Sequence, residues 1–246
     1  MSIFSKILSS SGNTLFYPGC LTKFVAKNIL ENYKKLLEMC DEDFIVLPDK
    51  EVCCGSPVLN AGYKKDFVDL AEKNLKAFKE YGVTGIITGC PACFRIFDYE
   101  YPKALGDKWD IKAEHMTTYL LNKIKTGKLK LPEVKIKASY HDPCHLGRHS
   151  RIYEEPREIL KSQGVQLFEM VLTRENAFCC GAGGGVQSNN RELAEKIAGE
   201  RVEQAVKTEA EYLITPCVLC TYNLRNAAGN KIKVREMSQV LLGQYE

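Results

Sequence analysis

At 246 residues, with 45% hydrophobic and 26% charged side chains, the chain has the makeup of an ordinary globular protein of one or two domains. A formal net charge of +3 gives no electrostatic case for nucleic acid or an anionic membrane surface as partner. No apolar run approaches the length needed to span a bilayer, so an integral membrane protein is excluded as a reading.

Residues 1–11 carry Ile3, Phe4, Ile7 and Leu8 but neither the apolar stretch nor the cleavage site of a signal peptide. They are expected to fray, or to dock on a partner as a short helix. Without an export signal the expected location is cytoplasmic, where thiols stay reduced and dense cysteine sets serve metals or catalysis.

The elements then follow in order. Residues 14–19 (TLFYPG) form a short apolar strand, Lys23 to Met39 a helix by period, and 44–48 (FIVLP) a second strand. Lys65 to Tyr81 places Phe67, Leu70, Ala71, Leu75 and Phe78 on one helix face, and 85–89 (GIITG) is a buried strand. Ile136 to Tyr140, Val165 to Met170 and Tyr212 to Thr215 are the matching strands further on, and Arg191 to Lys207 the matching long helix. Strands alternating with helices predict an α/β fold: two tandem pseudo-symmetric repeats, each a small mostly parallel sheet flanked by helices. The boundary falls in the lysine-rich stretch 128–137, where Pro132 is expected to break the last helix of the first half. The halves are therefore 1–132 and 133–246.

Ten of the eleven cysteines make one pattern twice. The first set is Cys20, the pair Cys53-Cys54, and Cys90-Pro91-Ala92-Cys93; the second is Cys144, Cys179-Cys180, and Cys217-Val218-Leu219-Cys220. The intervening gaps are 32 and 35 residues in the first set and 34 and 36 in the second. The flanks match as well: 44–57 parallels 169–183, 82–94 parallels 209–221, and 111–121 parallels 232–242. All the thiols fall at or after strand ends, where open parallel sheets assemble their sites.

Thiolates select zinc, copper(I) or iron–sulfur clusters. Zinc and a cubane cluster each need four ligands, and each half offers five. Adjacent cysteines are awkward as two ligands of one ion but can reach two irons, which favours an extended cluster and leaves zinc in one half as the alternative. Gly55, Gly181 and Gly183 follow the pairs and let backbone N–H groups approach the cluster sulfurs. The 181–185 run lacks the spacing of a dinucleotide loop. A thioredoxin-like motif at 90–93 would leave the pairs and the second copy unexplained. Cys40, without a repeat partner, reads as a small buried apolar residue. Around Cys144 lie three of the four histidines. His141, His145 and Arg148 are candidates to line a pocket, moving protons or binding an anion; alternatively His141 and Asp142 only organise the turn at Pro143. His149 is read as a turn residue.

The pattern, with HDPCHLGR (141–148) and CCGAGGG (179–185), closely resembles the cysteine-rich CCG-domain family over nearly the whole chain. That family includes the catalytic subunit of heterodisulfide reductase. It also includes iron–sulfur subunits of glycolate, lactate and glycerol-3-phosphate dehydrogenases, and related thiol-driven fumarate reductases. The resemblance implies two noncubane [4Fe-4S] clusters, one on Cys20, Cys53, Cys54, Cys90 and Cys93 and one on Cys144, Cys179, Cys180, Cys217 and Cys220, facing a cleft where a disulfide is split. It implies an oxidoreductase subunit with no catalytic residues beyond the clusters, His145 and Arg148 being the pocket candidates. Many relatives carry a fused ferredoxin domain whose CxxCxxCxxxCP runs are absent here, so the expected partners are a flavoprotein or a ferredoxin-type iron–sulfur subunit and a small thiol or disulfide. The alternative is an electron-transfer subunit for a flavin-dependent dehydrogenase of lactate, glycolate or glycerol-3-phosphate, or for a thiol-linked succinate/fumarate enzyme.

Overall fold

The computed structural model describes residues 12–47, 49–50 and 52–245. The N-terminal stretch expected to fray or dock lies outside these residues, as does Pro48 of the second expected strand.

In the first half, β1 (Asn13–Phe16) leads through α1 (Cys20–Phe24) and α2 (Lys27–Glu38) to β2 (Phe44–Ile45). Next come α3 (Ser56–Asn60), α4 (Lys64–Glu80) and β3 (Val83–Thr88). The chain returns through α5 (Pro91–Arg95), a π-helical turn and α6 (Tyr101–Leu105) to β4 (Lys112–His115) and α7 (Met116–Lys125). In the second half, β5 (Lys137–Tyr140), α8 (Glu154–Ser162) and β6 (Gln166–Leu167) precede α9 (Val186–Asn189) and α10 (Arg191–Val206). The chain closes with β7 (Tyr212–Thr215), α11 (Val218–Ala228), β8 (Lys233–Glu236) and α12 (Met237–Leu241). Each half is a four-stranded parallel sheet, ordered β2-β1-β3-β4 and β6-β5-β7-β8. The repeat read from the sequence is thus present in strand order as well as in spacing.

Three expectations need correcting. Each half has a fourth strand, β4 and β8, that apolar patterning passed over because KAEH and KVRE are short and charged. The first long helix is two helices, broken at Val25 and Ala26, where Ala26 leaves helical geometry at ψ 59°. Pro132 does not end the last helix of the first half: α7 stops at Lys125, and Gly127, at φ 71°, turns the chain away.

Period-two alternation builds the layers. Leu15 and Ile86 point to the outer core of the first half, with Phe67, Phe78, Phe97 and Tyr101. Their neighbours Phe16 and Ile87 point the other way, into a core shared with Ala138, Tyr140, Tyr212 and Ile214 of the second sheet. The seam is filled by Leu36 and Leu37 of α2, Leu120 of α7, Ile159 and Leu160 of α8 and Val240 of α12. Cys40 sits in this seam, as its reading required, and burial pushes its thiol up to about 11. The outer core of the second half is made differently, with Ala194, Ala198 and Ala205 of α10 fully buried against it. No helix among the described residues is long and apolar enough to cross a membrane.

Candidate metal centre

Because the strands are parallel, the loops after them gather at one edge, and the structure brings the five cysteines of each half together there. In the first half the thiols act electrostatically on one another in a chain, Cys20 with Cys53, Cys53 with Cys54, Cys54 with Cys93 and Cys93 with Cys90. The second half repeats it link for link: Cys144 to Cys179, Cys179 to Cys180, Cys180 to Cys220 and Cys220 to Cys217. The sulfurs of Cys180 and Cys220 are 3.1 Å apart.

Such crowding cannot hold five negative charges. The neighbouring Cys53 and Cys93 thiols pull Cys54 down to about 5, while Cys54 drives Cys93 up. In the second half Cys179 is lowered by Cys144 and Cys180, and Cys144 is raised by Cys179. In each half some thiols are pushed down and their neighbours up, Cys54 against Cys93 and Cys179 against Cys144. Only a strongly cationic centre would let all five ionise, and soft thiolates suit the several irons of a cluster.

The adjacent pairs are presented by glycine. Gly55 and Gly181 occupy left-handed backbone, at φ 91° and 79°, and donate N–H to Cys53 Sγ at 3.5 Å and to Cys179 Sγ at 3.3 Å. A Cβ on Gly181 would stand 2.7 Å from the Ala194 carbonyl oxygen. Gly181→Ala is therefore expected to cost about 1–3 kcal/mol, read as a lower urea midpoint. Gly183 has open space where a Cβ would go. Gly19, which the sequence did not single out, fits tightly: its Cβ would meet Cys93 Sγ at 3.2 Å, so its smallness lets the first loop close over the site.

His145 Nδ1 lies 3.4 Å from Cys144 Sγ and its ring is 5.1 Å from that of His149, while Arg148 and His149 are exposed. Burial, the neighbouring ring and Arg95 of the first half all act on the His145 imidazole, whose pKa is lowered. His141 is buried and close to Cys180 and Cys220.

Asp142 is held in place by a partner that the sequence hides. Arg157 of α8, fully buried, grips Asp142 with two hydrogen bonds of 2.7 and 2.9 Å and reaches Glu169 Oε1 at 2.6 Å, Thr173 and the Tyr153 carbonyl. This clamp fixes the approach to Cys144. Burial alone would raise the Asp142 pKa, but Arg157 more than offsets it and the pKa is lowered. The unfolded chain then binds more protons across the ordinary carboxylate range, so stability rises with pH there. Metal-free protein should keep this contribution above about pH 4 and lose it in stronger acid. A urea midpoint unchanged between neutral pH and that region and below it would contradict this.

The two sites approach the seam together. Tyr33 of α2, buried there, donates its hydroxyl to Glu236 Oε1 at 2.6 Å, and both Cys217 and Cys90 add to the effects of burial and Glu236 that raise its pKa. Glu236 ends β8 and caps α12, as His115 ends β4 and caps α7 in the other half. At this seam a small open pocket is lined by Ala26 and Ile29 of the first half and by Val218 and Thr221 of the second.

Two parallel α/β halves, each gathering five thiols at its carboxyl edge, define a duplicated cysteine-rich metal-binding class. The family model described as a cysteine-rich domain, CCG, matches residues 14–98 and again 138–225, and the chain belongs to that family. One subunit of the dihydromethanophenazine:CoB–CoM heterodisulfide reductase of Methanosarcina acetivorans is 34% identical over 222 residues, covering 88% of this chain and 54% of the relative. The EtfAB:quinone oxidoreductase of Syntrophomonas wolfei is 32% identical over 242 residues, covering 92% of this chain and 34% of the relative. One subunit of the CoM/CoB fumarate reductase of Methanothermobacter marburgensis is 32% identical over 214 residues, covering 86% of this chain and 41% of the relative. The chain thus spans about half, or less, of the length of these curated relatives.

Proposed function

We propose that the chain is an iron–sulfur subunit of a multisubunit oxidoreductase that reduces a disulfide at two noncubane [4Fe-4S] clusters. Cys20, Cys53, Cys54, Cys90 and Cys93 in residues 1–132 hold one cluster, and Cys144, Cys179, Cys180, Cys217 and Cys220 in residues 133–246 hold the other. The observation that carries this reading is the sulfur chain of five, repeated link for link in both halves. A tetrahedral zinc leaves a fifth thiol without a role in each half. When bound, the clusters supply one-electron carriers and iron to capture sulfur. The protein's own residues set backbone N–H donors beside the cysteine pairs. Reduction of a disulfide to two thiols consumes two electrons and two protons; the electrons are drawn from a flavoprotein or ferredoxin-type partner. In this reading His145, half-buried and 3.4 Å from Cys144 Sγ, passes a proton.

The second reading is electron transfer alone, for a flavin-dependent dehydrogenase, supported by the relative named as an EtfAB:quinone oxidoreductase. Electron paramagnetic resonance of anaerobically prepared protein separates the two. Disulfide reduction predicts a cluster signal that changes when a small thiol or disulfide is added. A signal indifferent to thiols but reduced by a flavoprotein and its substrate would leave the second reading standing and overturn the first. Zinc without acid-labile sulfide would overturn both.

A further inference from the structure

His141 stands just past the end of β5, where Tyr17 stands past β1 in the first half. Its ring is 1% exposed. Nδ1 lies 3.0 Å from Nε of Arg201, a fully buried arginine of α10 that is itself held by the Leu172 carbonyl and by Gln204. A guanidinium has donors and no acceptor, so Nδ1 accepts and the ring's proton sits on Nε2. Accepting from Arg201 at Nδ1, the ring is held in its neutral Nε2–H form. The Nε2–H has no hydrogen-bond partner. Burying a donor without a partner is costly, so something is expected to receive it. A ring nitrogen of His141 and the sulfurs of Cys180 and Cys220 all lie within 4.8 Å of one another.

That trio also looks like a metal-binding set, but the hydrogen bond from Arg201 has the wrong sense for one. An imidazole that binds a metal gives the metal one nitrogen's lone pair and carries its proton on the other, which it donates to an acceptor. Here the other nitrogen faces a donor. We propose that His141 is not a ligand but the Nε2–H donor to a sulfur of the second cluster, held in that tautomer by Arg201, and that it raises that cluster's reduction potential. The inference rests on the cluster reading above. A donor stabilises the charge that a cluster gains on reduction, which moves its potential upward. The first half is built otherwise at this place: Tyr17 donates its hydroxyl to the Val52 carbonyl at 2.8 Å.

The test uses the anaerobically prepared full chain with its iron content measured for each site. In the wild type, electron–nuclear double resonance in light and heavy water should find an exchangeable proton coupled to one cluster, with only weak nitrogen coupling. In His141→Leu that proton signal should vanish and one of the two potentials should fall, with iron retained and the other potential unmoved. His141→Gln, which keeps an N–H donor, should restore part of the shift. Strong nitrogen coupling in the wild type, or loss of second-site iron alone in His141→Leu, would make His141 a ligand and overturn the proposal. Unchanged potentials in a fully loaded His141→Leu would overturn it too. If that variant does not fold, the wild-type proton signal decides. A second site without iron in the wild type sinks the cluster reading and this inference together, whereas iron present without the proton coupling sinks this inference alone.

Discussion

Serine in place of Cys54 is expected to halve the iron and acid-labile sulfide bound per chain, emptying the first site and leaving the second loaded. Cys54 is the middle link of the first sulfur chain, buried, with Cys53 on one side and Cys93 on the other. A hydroxyl there is a harder and less readily ionised donor, poorly matched to iron. Cys180 holds the same position in the second chain, between Cys179 and Cys220, so Cys180→Ser is expected to give the mirror result. Cys40→Ser is the control. Cys40 is equally buried, but it lies among Leu36, Leu37 and Leu120 in the seam. That change should cost some stability and no iron. If Cys54→Ser kept its full iron, or Cys40→Ser lost half, the assignment of ligands would be wrong.

The second large effect is expected at Arg157, far from any sulfur in sequence. Replacing it by methionine leaves the buried Asp142 with an uncompensated charge inside the second half, while Glu169, about a third exposed, keeps water and Arg174. The expected loss is about 3–5 kcal/mol, the range for breaking one partner out of a buried ion pair. Arg157 is fully buried and its donors reach Asp142, Glu169, Thr173 and the Tyr153 carbonyl. Urea unfolding of the metal-free protein reads the loss directly. Adding Asp142→Asn should recover part of it, since the stranded charge is then gone. A single variant within about 1 kcal/mol of wild type would mean that the clamp is solvated and contributes as little as a surface pair does.

What could be read from the sequence follows from periodicity and spacing. Duplication, strand–helix alternation and the grouping of ten thiols all leave marks on residue order, and all appear in the structure. Strands β4 and β8 left almost none, because four residues with two or three charges each have no apolar alternation to detect. The pairing of α12 with α2 across the seam, and the Tyr33–Glu236 hydrogen bond 203 residues apart, are tertiary and have no local signature. Arg157 and Arg201 look like ordinary surface cations on helices. A faint signal did exist for Arg201: it falls on the face marked by Ala194, Ala198, Val202 and Ala205, which is the buried face of α10. Gly19 could not be distinguished from any glycine before a cysteine until the Cys93 sulfur was seen beside it. Among the histidines, order in sequence misled: His141, farther from Cys144 than its neighbour His145, is the one set against the sulfurs of Cys180 and Cys220, while Arg148 and His149 are exposed.

The central claim is two iron sites of five cysteines each. Anaerobic crystals measured at the iron absorption edge test it most directly. The account predicts two separate groups of iron peaks, one within bonding distance of Cys20, Cys53, Cys54, Cys90 and Cys93 and the other of Cys144, Cys179, Cys180, Cys217 and Cys220. A single group, or peaks at the zinc edge with none at the iron edge, would contradict it.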